Sequence, residues 1–307
     1  MSGSHAHDNE ITSKKMWIAT AITFIFCLFE ALIGYQSNSL ALMADAGHNF
    51  ADAFALGLSA FALWMASKPA DDKRTFGYHR VGILAALVNA VGLAIMSIVI
   101  FWEAVQRLRT PELVDSGSMI WVALVAIVIN SGIAWWLSAA AKDDLNIRSA
   151  YLHMVGDAAA SLAVVIAGII IAFTSWYVAD PIVSIIFAFL VLWSSWSILT
   201  ESIQMLLEGT PTGIDLAKVK QKISEIQGVL SVHDLHVWAV SSGLIACDCH
   251  IMITEQSVSA GQIIQQNVSH MLAHDFKISH STIQIEVEDC GGHNHAIKQV
   301  DTITHRH

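Results

Sequence analysis

Lysine and arginine are absent from residues 16–67 and again from residues 149–217, and aliphatic and aromatic side chains fill both intervals. Runs of this kind constrain folding more than any motif. A bilayer core about 30 Å thick is crossed by about 20 helical residues, and a helix is the one single-segment structure that satisfies its own backbone in lipid. Six stretches have the required length and apolarity, at 16–35, 40–66, 81–105, 119–141, 150–178 and 181–207. The whole chain is 54% hydrophobic and 14% charged, against about 25% charged in an average soluble domain. A purely soluble globule is excluded.

Positive charges flanking the spans predict their orientation. Lys14 and Lys15 precede span one, Lys68, Lys73, Arg74 and Arg80 lie between spans two and three, and Lys142 and Arg148 lie between four and five. Placing these in the cytoplasm leaves Arg107 and Arg109 outside, and six spans return the C-terminus to the side of the N-terminus. Both termini are therefore expected in the cytoplasm. The apolar segment after Lys15 is too long for a signal h-region and shows no small-residue cleavage pattern, so it reads as a first span. The net charge of −10 argues against nucleic acid, whose phosphates need clustered Lys and Arg. Cys27 lies in an apolar run and Cys247, Cys249 and Cys290 in the polar C-terminal part, so the four cysteines form no disulfide framework.

From Gly209 the composition turns polar. Leu216, Val219, Ile223 and Ile226 share one face of a helix expected at 215–227. Alternating segments at 230–240 and 244–254, joined through Ser241, Ser242 and Gly243, predict two strands. A helix at 258–276 and a strand at 282–287 complete an αββαβ order, an α+β domain with helices on one sheet face. The expected organisation is an N-terminal segment (1–15), a six-helix transport domain (16–208), a cytoplasmic domain (209–290) and a flexible His-containing tail (291–307).

Two spans carry matched polar pairs. Span two contains His48 and Asp52, and span five contains His153 and Asp157. Residues four apart lie on one helix face, so each pair projects toward a common point. An Asp at mid-span costs roughly 2.5–3.5 kcal/mol on insertion scales, and ionisable groups there are functional by default. One such pair alone reads equally well as a buried hydrogen bond. Two at matching depth give two imidazoles and two carboxylates, a four-coordinate N/O set suited to Zn²⁺. Asp45 lies on the stripe of His48 and Asp52 near the span end, which favours a supporting or access role over ligation. Glu30 stands alone in span one, where pathway, packing and proton-linked roles all remain open. Asn89 and Asn130 read as interhelical hydrogen-bond partners.

The segment from Ser39 to Asp52, with Asp45, His48 and Asp52, then Phe76-Gly77-Tyr78-His79-Arg80, His153 with Asp157, and Val232-His233-Asp234-Leu235-His236-Val237-Trp238 together resemble the cation diffusion facilitator family, above all its zinc-exporting bacterial branch. The likeness runs from about residue 13 to 288. It implies a homodimeric metal²⁺/H⁺ antiporter of the bacterial inner membrane, with six transmembrane helices and a cytoplasmic ferredoxin-like domain. It places the transport ligands on His48, Asp52, His153 and Asp157. Gly82 stands where many relatives carry Glu after the loop motif, so no role is assigned there. The His-rich loop between spans four and five of many animal relatives is missing, which removes loop-based zinc capture.

In the cytoplasmic domain, strict alternation would set His233, Leu235 and Val237 on one face and Asp234, His236 and Trp238 on the other, separating His233 from His236. Cys247, Cys249, Ile251 and Ile253 share a face that reads as core, so the CxC pair is taken as structural. A two-residue turn places His250 opposite His233, and His280, Gln284 and Glu286 share a face of the last strand. His233, His250 and Glu286 form a candidate regulatory zinc site, weighed against ordinary polar sheet surface. Cys290, His293 and His295 read either as ligand donors to a neighbouring subunit or as solvated tail, the tail being favoured, and the terminal His5, His7, His305 and His307 are weak metal-collecting candidates.

These features predict a secondary transporter exporting Zn²⁺, with Cd²⁺ and Co²⁺ as alternatives, against protons. Its expected partners are a second copy of the chain, membrane lipid, divalent metals and protons. ATP is disfavoured as driver because no GxxxxGK[ST] loop occurs. The rivals are a membrane metal sensor without transport and an intramembrane metalloenzyme. The enzyme needs an open coordination position and a separate acid or base, and HExxH is missing.

Overall fold

The computed structural model describes residues 21–138, 145–241 and 243–288. Lys14, Lys15, Lys142, Ser242, Cys290 and the N- and C-terminal histidines lie outside the described residues, as do the start of span one and the end of span four. The chain divides into two compact units, residues 1–61 with 85–199 and residues 62–84 with 200–307.

Among the described residues there are six apolar helices: α1 (Ala21–Gln36), α2 (Leu40–Ala66), α3 (Val81–Arg109), α4 (Ser116–Leu137), α5 (Leu145–Thr174) and α6 (Ala179–Leu206). The last five are each long and apolar enough to cross a membrane, and the described part of α1 is a shorter apolar helix. In the first unit α4 packs along α5. The buried face of α4 runs Met119, Val122, Ala123, Ala126, Asn130, Ile133, Ala134 and Leu137, a stripe at helical spacing that sorts packed from outward residues. A core of Phe26, Leu42, Met119, Val122, Val164 and Ile171, interleaved with alanines, joins α1, α2, α4 and α5. Small residues let the helices approach closely: a Cβ on Gly168 of α5 would stand 2.6 Å from Cγ1 of Ile120 on α4.

The corners are set by local hydrogen bonds. Asn38 turns the chain between α1 and α2 at φ 55°, and Arg107 donates to its backbone oxygen at 2.6 Å and to its Oδ1 at 2.8 Å. The start of α2 is capped from elsewhere in the bundle. Asp180 of α6, fully buried, accepts from Ser39 Oγ at 2.6 Å, Leu40 N at 2.9 Å and Ala41 N at 3.2 Å. Helix α5 ends at Thr174, four residues before the sequence-based boundary. Ser175 adopts φ 55° there, and Thr174 Oγ1 donates to Ile170 O and accepts from Trp176 N.

The second unit holds α7 (Leu216–Ser224), β1 (Val229–Ser241), β2 (Leu244–Ile253), α8 (Val258–Phe276) and β3 (Ile278–Glu286). Sheet order is β1-β2-β3, antiparallel then parallel. Val219 and Ile223 of α7 and Ile264, Val268 and Leu272 of α8 share one core with Val232, Leu235, Val237, Cys247, Cys249, Ile251 and Ile283 of the sheet. Both helices therefore cover one face. Cys247 and Cys249 are fully buried in that core as free thiols; the hydrogen bond the Cys249 thiol makes to Cys247, then burial, push it far above its usual range. Strand β3 starts four residues before the expected boundary. Ile278 is buried and pairs with Ile245, while the polar Ser279, His280 and Ser281 mask the start of the alternation.

The same unit contains the loop motif before α3. Asp71 Oδ1 accepts from the backbone of Lys73 and Arg74, its Oδ2 accepts from the Tyr78 hydroxyl at 2.7 Å, and these bonds hold its carboxyl below the usual range. Arg80 Nη2 donates to Glu208 Oε1 at 2.7 Å.

Candidate metal centre

His48 and Asp52 lie one turn apart on α2, and His153 and Asp157 one turn apart on α5. The two pairs face each other within the first unit. Oδ2 of Asp52 stands 3.4 Å from Nε2 of His48 and 3.2 Å from Nε2 of His153, and the imidazoles meet edge to face with centroids 6.0 Å apart. Ligand atoms of His48, Asp52 and His153 all fall within 4.8 Å of one another. Asp157 reaches the group through His153, with Oδ2 3.6 Å from Nε2. Oδ2 of Asp52 and Oδ2 of Asp157 are buried without a hydrogen-bond partner, as is Nδ1 of His48. Buried carboxylate oxygens without a hydrogen-bond donor are costly, and a divalent cation between the helices would satisfy them.

Asp45 is buried one turn before His48. It accepts from Ser161 Oγ on α5 at 3.2 Å, and that hydroxyl also lies 2.9 Å from the backbone oxygen of Asp157. Asp45 thus touches the support of the ligand helix and is not among the grouped ligand atoms. Two partners were not legible beforehand. Asn49, beside His48, donates to Glu30 at 3.4 Å, and Ser161 follows Asp157 by one turn; in each case only proximity to a ligand residue in the sequence pointed to them.

A cavity of about 240 Å³ reaches the site, lined by Asn49, Asp52, Leu56, Leu137, Ala150 and His153 among others. Leu137 and Ala150 lie at the end of the bundle where α4 and α5 are connected. A separate cavity of about 640 Å³ at the opposite end, beside Asn38, Glu103 and Arg107, includes none of the four site residues.

The second cluster lies on the sheet face away from the helices. His233 pairs with His250 in the β1–β2 register. Glu286 joins them, with Oε2 3.1 Å from His233 Nε2 and Oε1 2.9 Å from His250 Nδ1. The expected separation of His233 from His236 does not hold. The register shifts between these residues, with Asp234 at φ 50°, and the bulge inserts one residue. Val232, Leu235 and Val237 consequently all enter the core, whereas His233, paired with His250, and His236, paired with Asp248, share the opposite face. Asp234 bridges toward both neighbours, its Oδ1 3.2 Å from His236 Nε2 and its Oδ2 3.9 Å from His250 Nε2.

Imidazoles and carboxylates brought together inside apolar spanning helices mark ion pathways and proton relays in membrane proteins. Residues 16–207 match the cation efflux transmembrane domain and residues 211–288 the cytoplasmic domain of cation efflux proteins. The chain belongs to the cation efflux, or cation diffusion facilitator, family and is a metal-cation transporter, not an enzyme. It is 37% identical over 294 residues to a cadmium, cobalt and zinc/H(+)-K(+) antiporter of Bacillus subtilis (strain 168), covering 95% of this chain and 93% of the relative. It is 36% identical over 315 residues to the zinc transporter ZitB of Escherichia coli (strain K12), covering all of both. Among solved structures, the metal-bound C-terminal domain of the CzcD transporter from Cupriavidus metallidurans is 38% identical, covering 24% of this chain and all of that one, with a TM-score of 0.22.

Proposed function

We propose that this protein exports Zn²⁺ across the bacterial inner membrane in exchange for H⁺, as a homodimer working by alternating access, with Cd²⁺ and Co²⁺ as further cargoes. The carrying observation is Asp52 Oδ2 set between the Nε2 atoms of His48 and His153, from two different helices. His48, Asp52, His153 and Asp157 are the transport ligands in this reading. Two imidazoles and two carboxylates suit zinc over harder ions, and the names of the relatives include zinc, cadmium and cobalt. Zinc needs neutral imidazole and ionised carboxylate, so its binding displaces protons and links the two fluxes. Each proton moving inward across 100 mV supplies about 2.3 kcal/mol.

The lining of the cavity by Leu137 and Ala150 supports a state facing the cytoplasm, because Lys68, Lys73, Arg74, Arg80, Lys142 and Arg148 flank the spans at that end, against Arg107 and Arg109 at the other. Residues 16–208 form the transport domain and 209–290 the cytoplasmic domain, both termini being cytoplasmic. His233, His250 and Glu286 supply two nitrogens and a carboxylate to a regulatory zinc, a donor set that fits it with one position left for water or a fourth ligand. Zinc there biases a conformational equilibrium of the dimer.

The test is zinc flux into proteoliposomes under an imposed pH gradient, with Cd²⁺ and Co²⁺ in parallel. Zinc uptake that rises with the gradient supports antiport. Metal binding without flux in sealed vesicles would move the reading to a sensor.

A further inference from the structure

Glu30 is fully buried in α1, and neither the metal site nor the packing core uses its charge. Its Oε2 receives one long hydrogen bond, 3.4 Å from Asn49 Nδ2. Its Oε1 is buried with no hydrogen-bond partner, and Oδ1 of Asn49 is likewise unpartnered. Asp45, a second buried carboxyl, stands on α2 four residues before Asn49. An ionised carboxylate buried with neither a cation nor a full set of donors is costly, and such a group takes up a proton instead. The sequence offers no basic side chain to replace that proton: residues 16–67, 81–106 and 149–217 contain neither Lys nor Arg. The titratable groups whose charges bear on Glu30 are Asp45 on α2 and Asp157 on α5, Glu30 itself bears on Cys27 of its own helix, and His48 bears on Asp45. The nearby imidazoles belong to the zinc site.

We propose that Glu30 is a proton site separate from the zinc ligands, and that its proton is one of those exchanged for the metal. This rests on the antiport reading above. With zinc absent, the proton sits on Glu30 and removes one of the two buried negative charges of Glu30 and Asp45. When Zn²⁺ binds one turn from Asp45, its double positive charge stabilises both carboxylates. The O–H bond then breaks and the proton leaves to water; no electrons move. Asn49 both contacts Glu30 and lines the 240 Å³ cavity, so the acid pair lies one side chain from the space through which zinc arrives. Linkage makes the effect mutual, a proton on Glu30 weakening zinc by the same factor as zinc weakens the proton.

The test is calorimetric zinc titration of the full-length protein in buffers of different ionisation enthalpy, in a His233→Ala/His250→Ala background so that the proton count refers to the membrane site. Glu30→Gln is expected to bind zinc with the same stoichiometry while releasing about one proton fewer per ion, and Glu30→Asp to restore the release. Unchanged proton release from Glu30→Gln overturns the proposal. Should Glu30→Gln fail to fold, infrared difference spectra of the same background on adding zinc decide: loss of a protonated-carboxyl C=O band, shifted in Glu30→Asp, supports it, and no such loss overturns it. Zinc uptake driven by a K⁺ gradient at fixed pH, and abolished by Glu30→Gln, would assign the site to an alkali cation and overturn the proton. Asp52→Ala separates the two readings. If it binds zinc like its parent, the transport-site reading fails and this one with it; if it loses zinc while Glu30→Gln keeps full proton release, this one alone fails.

Discussion

Oδ2 of Asp52 on α2 stands 3.2 Å from Nε2 of His153 on α5, a contact that ties two helices at the depth of the candidate ion site. The same oxygen lies 3.4 Å from His48, so one carboxylate serves both imidazoles. Asp52→Ala removes that shared donor, and Asp157→Ala removes the most buried of the four. Each is expected to lower zinc flux in proteoliposomes by more than the roughly 10–100-fold typical of losing an outer-shell partner. The elution volume of the purified protein should not change, because neither side chain belongs to the apolar packing core. Near-normal flux from either variant would remove the assignment.

His48→Asp tests donor chemistry at fixed helix position. The change keeps a coordinating atom but replaces a borderline nitrogen by a hard oxygen, and carboxylate-rich sets suit ions such as Mn²⁺. Competition assays should show discrimination between Zn²⁺ and Mn²⁺ falling by about tenfold or more before transport is lost. Unchanged discrimination would mean His48 does not touch the ion.

Asp180 predicts a stability effect far from the metal. It caps α2 from α6 through Ser39 Oγ and the amides of Leu40 and Ala41. Losing an N-cap costs about 0.5–2 kcal/mol, and each buried donor left unpaired costs about 1–3 kcal/mol. Asp180→Ala should therefore lower the melting temperature of the detergent-solubilised protein by several degrees, with Asp180→Asn intermediate. Melting that matches the unsubstituted protein would show that water caps α2 equally well.

The features that were legible in the sequence share one cause, a regular period. Apolar length marked the helices, the i,i+4 spacing of His48 with Asp52 and His153 with Asp157 marked the site, and alternation at Cys247, Cys249, Ile251 and Ile253 marked the core face. What escaped were departures from regularity and contacts across the chain. The bulge at Asp234 reverses the face of His233 relative to Leu235, and a rule that assumes one residue per step has no means of placing it. Asp180 reads locally as an acid in the first turn of its own helix, whereas its carboxylate caps a helix 139 to 141 positions away. Glu30 was visible as an isolated charge, but its partner Asn49 belongs to another helix and follows only from packing.

His250→Ala and Glu286→Ala test the sheet-face cluster, where one carboxylate meets two imidazoles at 2.9 and 3.1 Å. His250 pairs with His233 in the register and Glu286 enters from β3, so removing any of the three leaves at most two of the grouped donors. Two donors hold zinc far more weakly than three or four. Full-length protein carrying either substitution should bind one zinc fewer per chain by calorimetry, and under the proposed regulatory role any zinc-dependent change in dimer association, read by analytical ultracentrifugation, should weaken. Transport should fall only partly, because in that role ions bound there shift a conformational balance without being carried. His236→Ala is the control. Its imidazole shares that face of β1 but contacts Asp234 and is absent from the grouped ligand atoms, so zinc stoichiometry should stay at the parent value. Loss of a zinc from His236→Ala as well would enlarge the site to include the bulge, and full stoichiometry in both His250→Ala and Glu286→Ala would dismiss the cluster as a metal site.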